Sequence, residues 1–298
     1  MTLSRYSKIN IIKSSYRIKP PLVRRSRLTY VENGGVGKEL SDGWAANYVV
    51  GCSHGCIFCY VDSIIKRSWR LYGEVVKEDW GRYLLIPENL EEAIKATPWM
   101  RWSGKEVLLS SMHDPYLPEI KEFTRMILEL ALPHGVRFCI QTRSTLVLKD
   151  FDLLEDYKDQ VRIQVSLPTM NEEFAKMVEP NVPLPKARLE VLRRAKERGF
   201  RTGVIIAPIF PPNPSDLSYN PLAEIDKVFE AIAEVKPDYV YGECLHIRGL
   251  NKRYIAEKTG FTPYYDEIID KTFEKRFYRR LKEYGLKGSY WPEHKRRR

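Results

Sequence analysis

Six short runs of β-branched and aromatic residues alternate along the chain with segments whose apolar residues recur at helical spacing, and that alternation leaves few folds open. The strand segments read as residues 45–50, 107–110, 136–141, 161–166, 202–207 and 239–241. Helices are predicted over 118–133, 185–199, 216–235 and 252–258. In the first, Ile120, Phe123, Ile127 and Leu130 share a face before Gly135 stops the chain; in the third, Leu222, Ile225, Phe229 and Ile232 do the same. Parallel strands joined by crossover helices make either an open doubly wound sheet or an incomplete barrel.

In both architectures the ligand site lies beyond the carboxyl ends of the strands. Reading each strand to its end gives Cys52-Ser53-His54, then Ser111-Met112-His113-Asp114-Pro115-Tyr116, Gln141-Thr142-Arg143-Ser144, Ser166-Leu167-Pro168-Thr169 and Gly242-Glu243-Cys244-Leu245-His246. The polar chemistry therefore gathers at one end. The fifth strand runs instead into Pro208-Ile209-Phe210-Pro211-Pro212, expected to form an apolar wall or rigid edge.

The chain has 298 residues, 43% hydrophobic and 30% charged, which suits a folded globular protein. Its longest apolar run, residues 204–210, is broken by Pro208 and far short of the roughly 20 residues a membrane span needs. Residues 1–20 are basic and lack the unbroken apolar stretch of a secretory signal, so a cytoplasmic location without membrane partners is expected. Gly34-Gly35-Val36-Gly37 reads as a flexible connection, because no Lys-Ser or Lys-Thr follows to make a phosphate loop.

Net charge is +10, and its placement says more than its size. Residues 1–30 hold eight Lys or Arg and no acid, and residues 271–298 hold eleven against three acids, so each end is +8 and the body between is about −6. Aromatics such as Tyr6, Tyr16, Tyr290 and Trp291 interleave with these cations, a combination suited to phosphates and exposed bases. Solvated tails are the other reading of such ends.

Three of the five cysteines fall within Gly51-Cys52-Ser53-His54-Gly55-Cys56-Ile57-Phe58-Cys59-Tyr60. Such crowding makes a poor disulfide framework and a good soft-metal framework. Structural zinc takes four ligands, usually as two pairs, and no second pair of Cys or His is found; Cys139 and Cys244 stand singly. An iron–sulfur cubane normally takes four cysteines, so three would leave one iron with an open coordination position.

Cys-x3-Cys-x2-Cys with an aromatic before the last Cys matches the cluster loop of the radical S-adenosylmethionine (SAM) superfamily. The segment from Asn47 to Tyr60, together with Asp114-Pro115-Tyr116, Thr124-Arg125, Thr142-Arg143-Ser144, Glu179-Pro180 and Arg188-Leu189, resembles its spore photoproduct lyase-like branch over about residues 44–250. The resemblance implies an α/β fold, a partial (β/α)6 TIM-type barrel over residues 41–260, flanked by basic extensions at 1–40 and 261–298, the latter helical. It also implies a [4Fe-4S] cluster held by Cys52, Cys56 and Cys59, and S-adenosyl-L-methionine chelated at the open iron. Reductive cleavage of that molecule, fed by a one-electron donor such as ferredoxin or flavodoxin, would give a 5′-deoxyadenosyl radical for hydrogen abstraction. By the same resemblance Phe58 would lie by the adenine, Arg143 would replace the usual Lys at the carboxylate, and the Ser166 hydroxyl would help hold the cofactor; a surface cation and a helix cap are the other readings of the last two.

In the lyases a cysteine near the end of the second strand donates hydrogen and tyrosines flanking the last cluster cysteine assist; here that stretch reads Ser110-Ser111-Met112-His113, and Phe58 replaces one tyrosine while Tyr60 remains. A phenyl ring has no transferable O–H hydrogen. The lyases' own relay is thus not expected, and Cys244 is the candidate substitute donor, with simple packing as its other role. Asp114 and Tyr116 would orient cofactor or substrate, or form a turn. His54 would bond a cluster sulfur or fill space, and Glu243, Arg248 and Asn251 would face substrate from the rim. Together these features predict a radical enzyme acting on nucleic acid. Radical modification of a peptide or small metabolite is one alternative, and a zinc-braced nucleic-acid-binding module is another.

Overall fold

The computed structural model describes residues 10–14, 16–26, 40–73, 77–213 and 219–292. Its strands are β1 (Asn10–Ser14), β2 (Val23–Arg25), β3 (Trp44–Ala46), β4 (Val50–Gly51), β5 (Tyr83–Pro87), β6 (Glu106–Leu108), β7 (Arg137–Thr142), β8 (Val161–Ser166), β9 (Arg201–Ile209), β10 (Tyr239–Cys244) and β11 (Gly288–Trp291). The helices are α1 (Val61–Arg67), α2 (Trp69–Tyr72), α3 (Leu90–Lys95), α4 (Lys121–Ala131), α5 (Phe151–Glu155), α6 (Glu172–Val178), α7 (Pro185–Glu197), α8 (Pro221–Ala233), α9 (Asn251–Thr259) and α10 (Glu267–Glu283).

Eight strands form one sheet in the order β11-β10-β9-β8-β7-β6-β3-β2. Every neighbouring pair is parallel except β2 with β3. The six expected strands are therefore β3 and β6 to β10, all with their carboxyl ends on one side. The sheet is curled: from β8, Arg162 donates to Glu106 on β6 (2.8 Å) and to the Tyr241 hydroxyl on β10 (3.1 Å), reaching two strands to either side. Ala45, Leu108, Cys139, Ile205, Tyr241 and Trp291, one from each of six strands, form the inner cluster. A much larger core packs the outer face against the helices. Because β2 and β11 end the sheet at different edges, the barrel is partial.

The first strand is shorter than its apolar run: β3 stops at Ala46, and Val50–Gly51 turns away to pair with β5 in a second sheet of order β1-β5-β4. Helix α4 begins three residues later than expected and passes into a 3-10 turn over Leu132–His134, which Gly135 ends at φ +78°. Helix α8 starts at Pro221, where Asn220 caps it by accepting from the Leu222 and Ala223 amides. Its expected start at Asp216, the 34–37 glycine stretch, Tyr6 and residues 293–298 lie outside the described residues. Pro208 belongs to β9, which continues to Ile209.

Tyr290 and Trp291 do not offer rings to solvent. Both are buried, because β11 adds to β10 as a seventh parallel strand and carries them into the protein, where the Tyr290 hydroxyl donates to Asp270 at 2.8 Å. Part of the carboxy-terminal positive charge is also spent internally, since Arg276 and Arg280 on α10 pair with Asp226 on α8 at 3.2 and 2.7 Å. No helix among the described residues is long and apolar enough to cross a membrane.

Packing of α10 on the sheet depends on the bare backbone of Gly242, where an added Cβ would stand 2.5 Å from Phe277 Cε2 and 2.9 Å from Tyr290 Cδ2. Gly242→Ala is expected to cost about 1–3 kcal/mol through overpacking. Differential scanning calorimetry should read this as a melting temperature lower by about 2–4 °C per kcal/mol.

Candidate active site

The three-cysteine loop leaves β4 and lies against the segments that follow β6 and β7, where His54 meets Asp114 and Phe58 meets Arg143. Two glycines let it fold so closely. Gly51 has φ +100° and lies so near β5 that a Cβ would sit 2.3 Å from the Tyr83 carbonyl oxygen. Gly55 meets Gly81 back to back, where a Cβ on Gly81 would be 2.6 Å from the Gly55 Cα.

Among the described residues few backbone-to-backbone hydrogen bonds stay within the loop, namely Gly55 N to Cys52 O (3.3 Å) and Cys59 N to Cys56 O (3.0 Å). Distant segments supply the rest. Ile57 N donates to Val178 O (3.0 Å), Asn181 Nδ2 to Ser53 O (2.8 Å), and Asn251 Nδ2 to Phe58 O (3.0 Å). Ser53 Oγ donates to Glu119 at 2.9 Å.

Cys52 and Cys56 are buried and Cys59 is half-buried. Burial pushes the Cys52 and Cys59 thiols up to about 12 and Cys56 higher still. Backbone amides of Asp114 and His54 point at the Cys52 sulfur, that of Val61 at Cys59, and Arg143 pulls Cys56 the other way. Thiols so placed stay protonated until a metal displaces the protons. Among the described residues no three His, Cys, Asp or Glu side chains converge on one ion. A cubane does not ask for that convergence, because each cysteine meets a different iron. Two buried thiols and a half-buried one, with amides and a cation beside them, fit such a cluster.

Asp114 is the knot of the site. Its Oδ1 accepts from Tyr116 N (2.9 Å) and Thr142 Oγ1 (2.7 Å), its Oδ2 from Arg143 N (2.7 Å), and His54 Nδ1 lies 3.4 Å from Oδ2. It thus ties the end of β6 to the end of β7 and to the cysteine loop. Burial holds the His54 imidazole below its ordinary pKa, against the opposing pull of Asp114.

Arg143 reaches toward the loop with its guanidinium carbon 5.5 Å from the Phe58 ring. Nε donates to Glu179 at 2.9 Å, and among the described residues Nη1 and Nη2 carry no hydrogen bond. Glu179 also takes Arg188 Nη2 at 2.6 Å, and Arg188 Nη1 donates to the Ser166 carbonyl at 2.7 Å. Although burial raises the Glu179 pKa, Arg188 and Arg143 more than offset it and hold the carboxyl below its usual range. Among the described residues the buried Ser166 hydroxyl has no protein partner, nor has the Gln164 amide two residues earlier on the same inner face of β8. Phe58 stands edge-on to Phe210 at 5.8 Å, so the stretch after the fifth strand does form an apolar wall.

Phe58, Asp114 and Arg143 are brought together, with Ser166 joined to Arg143 through Arg188 and Glu179. Tyr116 is not: it is wholly buried, and its hydroxyl donates to Asp150 at 3.0 Å, within a network that includes Arg125. Glu243 is on the inner face of β10, 2.9 Å from His246 Nε2. Cys244 is on the outer face, lining a small cavity with Tyr265, Ile269, Asp270 and Phe273 under α10, so the thiol does not share the inner face with Glu243. Tyr60 is half-buried at the start of α1. Asn251 is no rim residue: it is fully buried and holds the Phe58 and His246 carbonyls and the Arg248 amide.

Sequence reasoning gave no role to Glu179, Arg188 or Gln164. A signal for Arg188 was present, since with Val191, Leu192 and Ala195 it falls on the buried stripe of α7. A charge on such a stripe needs a buried partner.

The family described as the Radical SAM superfamily matches residues 46–218, more than half of the chain. An uncharacterized protein of Acidianus two-tailed virus is 53% identical over 279 residues, covering 93% of this chain and 92% of that one. An uncharacterized protein of Methanocaldococcus jannaschii is 28% identical over 250 residues, 78% of this chain and 86% of that one. Among solved structures, a spore photoproduct lyase mutant with dinucleoside spore photoproduct shares the fold at a TM-score of 0.60 and 15% identity, over 84% of this chain and 76% of that one. The thiol-bearing loop at the open end of a partial parallel barrel and the family match agree: this chain belongs to the radical SAM superfamily and is an enzyme of that class.

Proposed function

We propose that Cys52, Cys56 and Cys59 hold a [4Fe-4S] cluster, that S-adenosylmethionine lies between Phe58 and Arg143, and that the substrate is a nucleic acid. The observation that carries the first two parts is the open edge of Arg143 beside the cysteine loop. One guanidinium nitrogen is tied to Glu179 and the terminal pair is uncommitted among the described residues, which suits a two-pronged grip on a carboxylate. The Ser166 hydroxyl, which has no partner among the described residues, supplies a further polar group for the same ligand. When bound, the cluster and S-adenosylmethionine supply reductive cleavage of a carbon–sulfur bond and with it a hydrogen-abstracting radical.

The chain's own residues bind, orient and shield. Phe58 and Phe210 give the apolar side of the cleft, and Asp114 fixes the backbone of Arg143 to the loop. Asn251 and Asn181 keep the loop from opening to water. Support for a nucleic-acid substrate comes from the charge of +8 at each end of the chain and from the dinucleoside that the spore photoproduct lyase mutant holds. With Tyr290 and Trp291 buried, that support is electrostatic rather than aromatic.

Anaerobic reconstitution with iron and sulfide should give a brown protein that, with dithionite, releases 5′-deoxyadenosine from S-adenosylmethionine. Replacing Cys52, Cys56 and Cys59 by Ala should abolish both, and a colourless zinc-loaded wild type would defeat the reading. Affinity for single-stranded oligonucleotides should fall steeply as salt rises from 50 to 200 mM. Salt-insensitive failure to bind them, alongside binding of a small metabolite, would reject nucleic acid.

Asp114→Asn turns one acceptor into a donor that faces an amide or hydroxyl already donating. A cost of about 1–3 kcal/mol is expected for the buried mismatch. Iron retained after desalting should drop below the wild-type amount, as measured by a colorimetric iron assay.

A further inference from the structure

The stretch from the last residue of α6 into the connection to α7 does two things at once. It clasps the cysteine loop, through Ile57 N to Val178 O (3.0 Å), Asn181 N to His54 O (3.4 Å) and Asn181 Nδ2 to Ser53 O (2.8 Å). Between those contacts it projects Glu179, whose carboxylate is 1% exposed and is shared by two arginines from different elements. Arg188 is equally buried and is itself fixed by the Ser166 carbonyl, whereas the Arg143 side chain is 21% exposed and offers Nη1 and Nη2 outward.

We propose that Glu179 is a positioning residue for Arg143, with Arg188 as its anchor, and that this pair sets the direction in which Arg143 presents its two terminal nitrogens to the carboxylate of S-adenosylmethionine. The inference rests on the reading of Arg143 given above. An arginine held only by its backbone would sample several rotamers. Here Oε1 of Glu179 takes Nε and leaves the fork edge uncovered, while Oε2, bound by Arg188, cannot swing round to cover it. The same carboxylate therefore orients the cation without competing for the face that meets the ligand. Glu179 also sits on the strap that holds the cysteine loop, so Arg143 is aimed relative to the loop itself.

The test is binding of S-adenosylmethionine to the anaerobically reconstituted full chain, followed by calorimetry and by the change in the reduced cluster's EPR signal. Glu179→Leu with Arg188→Met removes both buried charges together, so neither is left uncompensated. Loss of such a supporting partner is expected to weaken binding about 10–100-fold, with iron content retained. In an Arg143→Met background the same two changes should add nothing. Glu179→Asp, which keeps the carboxylate but withdraws it, should weaken binding by less and decides the matter if the double variant loses iron. Unchanged affinity in the double variant or in Glu179→Asp, or losses that multiply with Arg143→Met, would overturn the proposal. A wild type that binds no S-adenosylmethionine would instead remove the reading of Arg143 beneath it.

Discussion

A loop that carries two buried thiols and a half-buried one has few backbone hydrogen bonds of its own, and the rest of the site follows from that shortage. Backbone groups buried without partners are costly, so carbonyls and amides of residues 52–59 must be met by groups from elsewhere. Val178, Asn181 and Asn251 meet them, from two segments about seventy residues apart in sequence. Only a fold that brings the ends of parallel strands to one side can gather those segments. The loop is therefore a product of the barrel, and its geometry is as rigid as the strand ends that surround it.

What the sequence disclosed divides along physical lines. Strands buried on both faces read as apolar runs, and amphipathic helices as stripes, so the six parallel strands and four of the helices were legible, whereas the short helices α1, α2, α3, α5 and α6 were not. Cysteine spacing pointed to the superfamily that the family match shows, because the three cysteines are local in sequence. Asn251 was misplaced on the rim, since nothing in a sequence tells an asparagine that meets substrate from one that caps a distant carbonyl. Cys244 was a different kind of miss. Counting in twos from Val240 and Gly242 already puts it on the helix-facing side of β10, and the alternation outranked its closeness in sequence to Glu243.

The carboxy-terminal segment shows where local pattern fails. Gly288-Ser289-Tyr290-Trp291 is short and lies among basic residues, so it reads as a solvated aromatic tail. Its pairing with β10 depends on a partner more than forty residues earlier and on two glycines. Gly288 sits so close to the Val240 carbonyl that a Cβ would be 2.2 Å away, and Gly242 leaves room for Phe277 and Tyr290. Neither close approach has any signature in the four residues themselves.

The ion triad of Arg143, Glu179 and Arg188 is a poor investment if stability is its purpose. Moving a carboxylate and a guanidinium into a site with 1% exposure forfeits hydration that their attraction only roughly repays, and apolar side chains of the same volume often do as well or better. The helix bearing Arg188 already has Val191, Leu192 and Ala195 on its buried stripe, so an apolar residue at 188 would continue the pattern without strain. What apolar packing cannot supply is a fixed charge with one side left open. The triad does, by binding Arg188 to Glu179 and to the Ser166 carbonyl and leaving a guanidinium edge of Arg143 beside the cysteine loop, and that asymmetry is the property a cofactor-binding arginine needs.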